Sequence, residues 1–200
     1  MKHLKQEDFQ VSTWSGGKTV QLAIGPEGAL YAAREFLWRI SSATVELESS
    51  EFTVLPDYER LIAPLKGEMI LSHNGGPEIP LAPFEVHRFD GADRTLSRGK
   101  CTDFNLMLRK GKVTGDMRAC FLKPGETVRF GAEELGDSAL FFLAEGSLTV
   151  RTSGEETRIS EGEAVLFTAG ECASGEKEAL FQGTGEKAAV LMMAAVCCSA

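Results

Sequence analysis

Hydrophobic and polar side chains alternate along most of this chain with a period of two residues, and segments 20–24 and 117–122 are clear examples. Successive side chains of a β-strand point to opposite faces, so this period is typical of strands with one buried and one exposed face. The first half of the chain has no segment with a sustained helical period of about 3.6 residues. The pattern predicts an all-β protein with little helix.

Turn signals divide the alternating runs into short strands. A serine turn is predicted between strands 35–41 and 43–47, and His73–Gly76 is a strong hairpin signal. Near the end of the chain, Gly183–Lys187 is predicted to be a hairpin loop. It precedes strand 188–196, whose residues are nearly all apolar and therefore predicted to be buried on both faces.

The stretch Gly99–Arg109 combines a core face with a polar face. If it is extended, one face carries Phe104, Leu106 and Leu108, and the other carries Asp103, Asn105 and Met107. An acid and an amide side by side can recognise a small polar ligand. The same residue types near a strand start also fix the adjoining turn through bonds to the backbone, so both interpretations stay open.

Two arginines occupy unusual positions. Arg39 lies within an otherwise apolar strand, and a buried guanidinium requires a carboxylate partner, either from the protein or from a ligand. Arg60 follows a Pro-Asp turn. Together the two could form a fork for a dianionic ligand, or Arg60 could pair with Glu59 or Asp57 at the surface.

The segment Thr13–Thr19 ends like a phosphate-binding P-loop, but the first required glycine falls at Ser12. The residues that follow have a strand pattern instead of a helix start. We therefore predict a glycine turn beside the aromatic Trp14, leading into the first strand, and no nucleotide site.

The chain contains only three histidines, His3, His73 and His87, with no His-x-His pair. Isolated histidines do not supply the convergent nitrogen and oxygen ligands that a transition metal requires. The sequence predicts no bound metal and no cofactor.

The formal charge is −8, from 29 acidic and 21 basic residues, and no run of Lys or Arg is present. Nucleic acid and anionic membranes are therefore not expected as partners. Small molecules or other protein chains are the expected ones.

The N-terminus has no apolar signal region, and no stretch approaches the roughly 18 apolar residues that span a bilayer. The five cysteines lack C-x-x-C spacing, which suits reduced thiols, and none is assigned a redox or metal role. These features predict a cytoplasmic protein.

Several motifs together resemble a known family. Residues 143–150 and 159–167 resemble the hairpins of cupin barrels. The ordered motifs are Trp14–Thr19, Trp38–Ala43, Phe52–Arg60, Phe89–Gly91 and Gly99–Arg109 with its Asp-Phe-Asn-Leu-Met core. Taken together they look like the HutD/Ves family, and the match covers roughly the first 110 residues well.

That resemblance implies a bicupin, two packed jelly-roll or cupin-like β-barrels in one bacterial, cytoplasmic chain. The first barrel would span residues 1–110 and the second residues 111–200, and the resemblance is compatible with an exchange of strands between them. Family members often accompany the histidine utilisation pathway, where a regulatory role and formylglutamate binding have been proposed. The resemblance places a ligand-binding pocket at Trp14, Arg39, Ser41, Arg60, Asp103, Asn105 and Met107.

We expect a non-catalytic binding or regulatory protein whose arginines take the carboxylates of a small metabolite. Asp103 and Asn105 would recognise polar hydrogens, and Trp14 and Met107 would supply apolar walls. One alternative is a metal-independent isomerase or hydrolase with Asp103 as general base. Another is a structural module in which Arg39 and Asp103 pair with each other and no pocket exists. Bicupins commonly pair through barrel edges, which by analogy implies a homodimer.

Overall fold

The computed structural model describes residues 1–168 and 178–198, and these form an all-β protein, as the alternation predicts. Helix within the described ranges is limited to α1, Ala132–Leu135, and the two 3-10 turns Gln6–Asp8 and Tyr31–Ala33. Within the same ranges, no helix is long and apolar enough to cross a membrane.

The described residues form nineteen strands. In chain order they are β1 Lys2–Leu4, β2 Gln10–Trp14, β3 Gly17–Gly25, β4 Trp38–Val45, β5 Ser49–Glu51, β6 Tyr58–Gly67, β7 Met69–His73, β8 Ile79–Leu81, β9 His87–Asp90, β10 Thr95–Arg98, β11 Cys101–Arg109, β12 Val113–Leu122, β13 Thr127–Gly131, β14 Ser138–Glu145, β15 Ser147–Arg151, β16 Glu156–Ser160, β17 Ala164–Phe167, β18 Glu178–Gly183 and β19 Ala189–Cys198.

The chain divides into two compact units. The N-terminal unit is Phe9–Thr114, and the C-terminal unit combines Met1–Asp8 with the described part of Gly115–Cys198. The domain boundaries expected from the sequence place the first eight residues in the first barrel. In the structure, β1 instead pairs antiparallel with β17, with His3 opposite Val165. This added strand extends a sheet of the C-terminal unit.

The C-terminal unit contains two sheets, with strand orders β1-β17-β14-β19-β12 and β13-β18-β15-β16. Apolar residues from both sheets form one core cluster, including Phe141, Val165 and Phe181. The predicted hairpin loop at Gly183–Lys187 is wrong, because β18 and β19 lie in different sheets. The apolar strand β19 lies inside its sheet between β14 and β12, and Ala189–Ala194 is buried as predicted.

The N-terminal unit also contains two sheets, β2-β3-β4-β11-β6-β9 and β5-β10-β7-β8. Its core cluster draws Ile62 from the first sheet and Leu71 from the second. The predicted barrels are therefore two-sheet jelly rolls, and the sheets are not closed barrels. The predicted serine turn is also wrong: β4 runs on through Ser41 and Ser42, and the Ser42 hydroxyl donates to the Asp103 carbonyl oxygen at 2.6 Å.

The glycine turn after Trp14 joins β2 to β3, with Trp14 opposite Gly17 in an antiparallel hairpin. The residues that follow the glycines form β3, which agrees with the rejection of a P-loop. However, β3 is the third strand of the chain and not the first. Gly17 has a φ of +149°, and a Cβ there would overlap the Thr44 carbonyl of β4.

We expect Gly17→Ala to lower the free energy of unfolding by more than about 1 kcal/mol, because the added methyl group meets backbone that cannot move aside. Urea denaturation measures the change. Gly75→Ala is the matched control, since Gly75 has a φ of +72° but nothing within 4 Å of its Cβ position. An equal loss in both variants would contradict the explanation by close packing against β4.

Candidate functional site

Two arginines flank the central strand of the six-stranded sheet. β11 lies between β4 and β6, and the antiparallel registers set Met107 opposite Arg39 on one side and opposite Arg60 on the other. Because neighbouring strands are about 4.8 Å apart, the two arginine backbones are roughly 10 Å apart. Both side chains are buried, each with 5% exposure.

The next two positions along the same face of β11 carry the amide and the acid. Asn105 lies opposite Ser41 of β4, and Asp103 lies opposite Ala43. The alternation predicted from the sequence is confirmed here, since Asp103 and Asn105 line a cavity whereas Phe104, the residue between them, is fully buried and does not. The polar face of β11 therefore joins the two arginines in one continuous patch.

This patch forms one side of a cavity of about 360 Å³ within the N-terminal unit. Each of the seven residues that the resemblance indicates lines it. The lining residues are Ser12, Thr13, Trp14, Thr19, Tyr31, Arg39, Ser41, Ala43, Val45, Ser50, Glu51, Phe52, Thr53, Arg60, Asp103, Asn105 and Met107. Strands that are far apart in sequence thus bring the predicted residues to one place.

Arg39 is held in position by its neighbours. Its Nε donates to Gln21 Oε1 at 2.8 Å and one terminal nitrogen donates to Ser41 Oγ at 3.3 Å. The guanidinium carbon lies 4.2 Å from the centre of the Tyr31 ring. Burial lowers the pKa of Arg39, and no carboxylate of the described residues lies within ion-pair distance of it.

Arg60 has no comparable polar support. Its guanidinium carbon lies 4.7 Å from the Phe52 ring centre and 5.1 Å from that of Phe89, and its buried Nε has no hydrogen-bond partner in the described ranges. Burial lowers its pKa to about 10, although Asp103 opposes this shift. The surface pairing considered for Arg60 is not found, because Glu59 pairs with Arg88 instead.

The Asp103 carboxyl is 4% exposed, and its Oδ1 accepts a hydrogen bond from the Ala43 backbone nitrogen at 3.1 Å. Burial raises its pKa to about 7, against the lowering effects of that hydrogen bond and of Arg60 and Arg39. Asn105 Oδ1 is buried without a partner in the described part of the chain. Arg39 and Asp103 therefore do not form an ion pair, and the alternative of a structural module without a pocket is wrong.

The histidines are less isolated than the sequence suggests. His73 Nε2 and His87 Nε2 lie 2.9 Å apart, and His73 Nδ1 lies 2.9 Å from Thr95 Oγ1. This contact joins β7 of one sheet to β9 of the other within the N-terminal unit. No group of three His, Cys, Asp or Glu residues among those described could hold a metal ion, and the absence of a metal stays a prediction.

The four described cysteines lie outside the cavity lining. Cys101, Cys120, Cys197 and Cys198 are free thiols, and Cys172 lies outside the described residues. Burial raises the pKa of Cys101 to about 12, so its thiol is protonated at neutral pH.

Sequence reasoning missed two residues that surround Arg39. Tyr31 lies in a 3-10 turn, in a segment without alternation, so nothing in the sequence connects it with β4. Gln21 is on the polar face of β3, but only the register, which sets Gln21 opposite Ser41, brings it to Arg39. Finding either residue requires the strand order of the sheet.

Comparisons with known proteins agree with this architecture. A family model described as HutD matches residues 6–190. A curated relative from Pseudomonas putida, named "Uncharacterized 21.2 kDa protein in hutC 3'region", is 34% identical over 110 residues. That match covers 52% of this chain and 56% of the relative, so the chain spans about half the length of the curated relative it matches.

Solved structures share the fold along nearly the whole chain. HutD from Pseudomonas fluorescens has a TM-score of 0.76 at 20% identity, covering 100% of this chain and 99% of that one. A conserved protein of unknown function from Pseudomonas aeruginosa has a TM-score of 0.80 at 19% identity, covering 98% of both chains. A cupin conserved barrel domain protein from Leptotrichia buccalis, with a TM-score of 0.57 at 9% identity and coverage of 98% and 96%, shows that the fold is cupin-like. The family model matches residues 6–190, which is most of this chain, and the chain therefore belongs to the HutD family.

Proposed function

We propose that this HutD-family chain is a cytoplasmic binding or regulatory protein, not an enzyme, associated with histidine utilisation. Its cavity in the N-terminal unit takes a small carboxylate-bearing metabolite. Formylglutamate is the candidate, since it offers two carboxylates and a formamide. The name of the Pseudomonas putida relative, which refers to a hutC 3' region, supports the association with histidine utilisation.

The observation that carries the proposal is the pair of buried, unneutralised arginines on one cavity wall. A buried guanidinium is unfavourable unless it is paired and hydrogen-bonded. Arg60 lacks both kinds of partner in the described chain, and Asn105 Oδ1 beside it is also unsatisfied. An anionic ligand with an N–H group would supply carboxylates to the arginines and a donor to Asn105.

A thermal-shift titration with formylglutamate, glutamate, urocanate and histidine tests the proposal. At about 100 times its dissociation constant a ligand adds about 2.7 kcal/mol of stability. For a chain of this length that corresponds to a rise in Tm of roughly 5–10 °C. We expect formylglutamate to produce this rise and Arg60→Met to abolish it.

Arg129→Met is the control, because Arg129 lies in the other unit and pairs with Glu178 at the surface. It should leave the ligand-induced shift unchanged. The proposal is wrong if none of the four compounds gives a saturable shift, or if Arg60→Met retains it.

A second candidate function is supported by the pKa of Asp103, which burial raises to about 7. A carboxylate near neutrality suits general base catalysis on an acylated amino acid. The candidate predicts turnover of formylglutamate that Asp103→Asn abolishes while binding persists. The absence of formate or altered amino acid after prolonged incubation with bound formylglutamate would exclude it.

A further inference from the structure

The Asp103 carboxyl has one satisfied oxygen and one that does not find a partner within the described chain. Oδ1 accepts the hydrogen bond from the Ala43 backbone nitrogen. Oδ2 makes no hydrogen bond with a described residue, although Asp103 lines the cavity. No cation in the described ranges lies within ion-pair distance of this carboxyl. A group placed in this way can meet a ligand either as an acceptor, when ionised, or as a donor, when protonated.

Four charged or titratable side chains line the cavity with Asp103: Arg39 of β4, Arg60 of β6, Glu51 of β5 and Tyr31 of the 3-10 turn. On β11 itself, the Cys101 thiol is close enough for Asp103 to raise its pKa. The two arginines favour the ionised carboxylate, whereas burial opposes it more strongly. In the empty cavity the two forms are therefore nearly balanced at neutral pH.

An anionic ligand would remove that balance. Carboxylates bound at Arg39 and Arg60 neutralise the two cations that favour ionised Asp103, and they add negative charge close to it. A like charge at short distance disfavours the ionised form of a carboxyl group. Asp103 would then take a proton from solvent on Oδ2 as the ligand binds.

We propose that Asp103 meets its ligand as a neutral carboxylic acid whose O–H donates to a ligand oxygen, and that the cavity consequently selects N-acylated acidic amino acids over free amino acids. The inference rests on the proposed function, that the cavity binds a small carboxylate. The acyl oxygen of such a ligand accepts a hydrogen bond from the Asp103 O–H, and Asn105 Oδ1 accepts one from the amide N–H of the ligand. A free amino acid has no acyl oxygen to accept the hydrogen bond from Asp103, and its ammonium group adds positive charge near the two arginines.

The test is isothermal titration calorimetry with formylglutamate and with glutamate as probes, between pH 6 and pH 9. For wild type at pH 8 we expect formylglutamate to bind with uptake of nearly one proton, seen as a dependence of the binding enthalpy on the buffer. Affinity should be flat below about pH 7 and fall about tenfold per pH unit above it, because a proton is bound with the ligand. Glutamate should bind at least tenfold more weakly.

Asp103→Asn tests whether residue 103 donates a hydrogen bond to the ligand, because the asparagine amide is a donor that does not titrate. We expect this variant to bind formylglutamate at pH 8 within threefold of wild type at pH 6, with no pH dependence. Asp57→Asn, at an exposed position, should behave like wild type. Carboxyl ¹³C NMR of the wild type should independently show Asp103 protonated at pH 8 in the bound state.

The outcomes distinguish a failure of the inference about Asp103 from a failure of the proposed function. If wild type binds formylglutamate but releases a proton, or binds more tightly as the pH rises, the inference is overturned while the proposed function survives. The same holds if folded Asp103→Asn loses binding more than tenfold at every pH. If wild type binds neither probe at any pH, the proposed function fails and the inference fails with it.

Discussion

Replacing Arg60 with methionine is expected to stabilise the ligand-free protein while removing its ligand-induced stabilisation. Burial lowers the pKa of Arg60 to about 10. This lowering corresponds to about 3 kcal/mol against the charged form in the folded state. Cation–π contacts of the guanidinium with Phe52 and Phe89 stabilise the folded, charged form by about 0.5–1 kcal/mol each. We therefore expect a net gain of about 1–2 kcal/mol.

That gain should raise the Tm of the ligand-free protein by roughly 2–8 °C in differential scanning calorimetry. The substitution leaves no charge stranded, because Asp103 can stay protonated when Arg60 is absent. Arg39→Met is the matched control. It removes hydrogen bonds to Gln21 and Ser41, so we expect it to be neutral or destabilising. A loss of more than about 1 kcal/mol in Arg60→Met would mean that Arg60 supports the fold and is not kept for a ligand.

The contrast between the two arginines shows how the cavity is organised. Arg39 is fixed by Gln21, Ser41 and the Tyr31 ring, so it presents a preformed site for one anionic group. Arg60 lies against aromatic faces with its Nε unsatisfied. Residues of this second kind lower stability and are retained where function requires them. Arg60 is therefore the more informative position for mutagenesis.

Local alternation was sufficient to predict the faces of β11. In a strand, alternate residues share a face whichever strands lie beside it, so Asp103, Asn105 and Met107 are expected on one face. The structure confirms this expectation, because all three line the same cavity. The unusual position of Arg39 in an apolar strand was also visible locally. The resemblance then grouped these residues with Trp14, Ser41 and Arg60, and the structure sets them around one cavity.

The parts that sequence reasoning could not reach depend on pairing between distant strands. Ser41 and Ser42 have the composition of a turn, but β4 continues through them because it pairs with β3 on one side and with β11 on the other. The Ser42 hydroxyl donates to a carbonyl oxygen of β11. The loop Gly183–Lys187 has the composition of a hairpin, yet in a jelly roll it carries the chain from one sheet to the other. In both places tertiary contacts outweigh the local preference.

The stability of the ligand-free protein should also depend on the proton of Asp103. Burial raises the pKa of this carboxyl from 3.8 to about 7 in the folded state. Between these values the unfolded chain has lost the proton and the folded chain retains it, so stability falls as the pH rises from about 4 to about 7 and is level above that. This change in pKa corresponds to about 4 kcal/mol of unfolding free energy.

Asp103→Asn removes this contribution, because the amide keeps the acceptor for the Ala43 nitrogen and does not ionise. Urea unfolding at pH 4.5, 6 and 8 should therefore show a stability advantage of the variant over wild type that grows by a few kcal/mol across the series. Asp57→Asn should differ from wild type by a constant amount. A constant difference for Asp103→Asn as well would mean that the carboxyl ionises freely in the folded protein. In that case the protein's own carboxylate would neutralise the arginines, and an anionic ligand would not be needed to balance their charge.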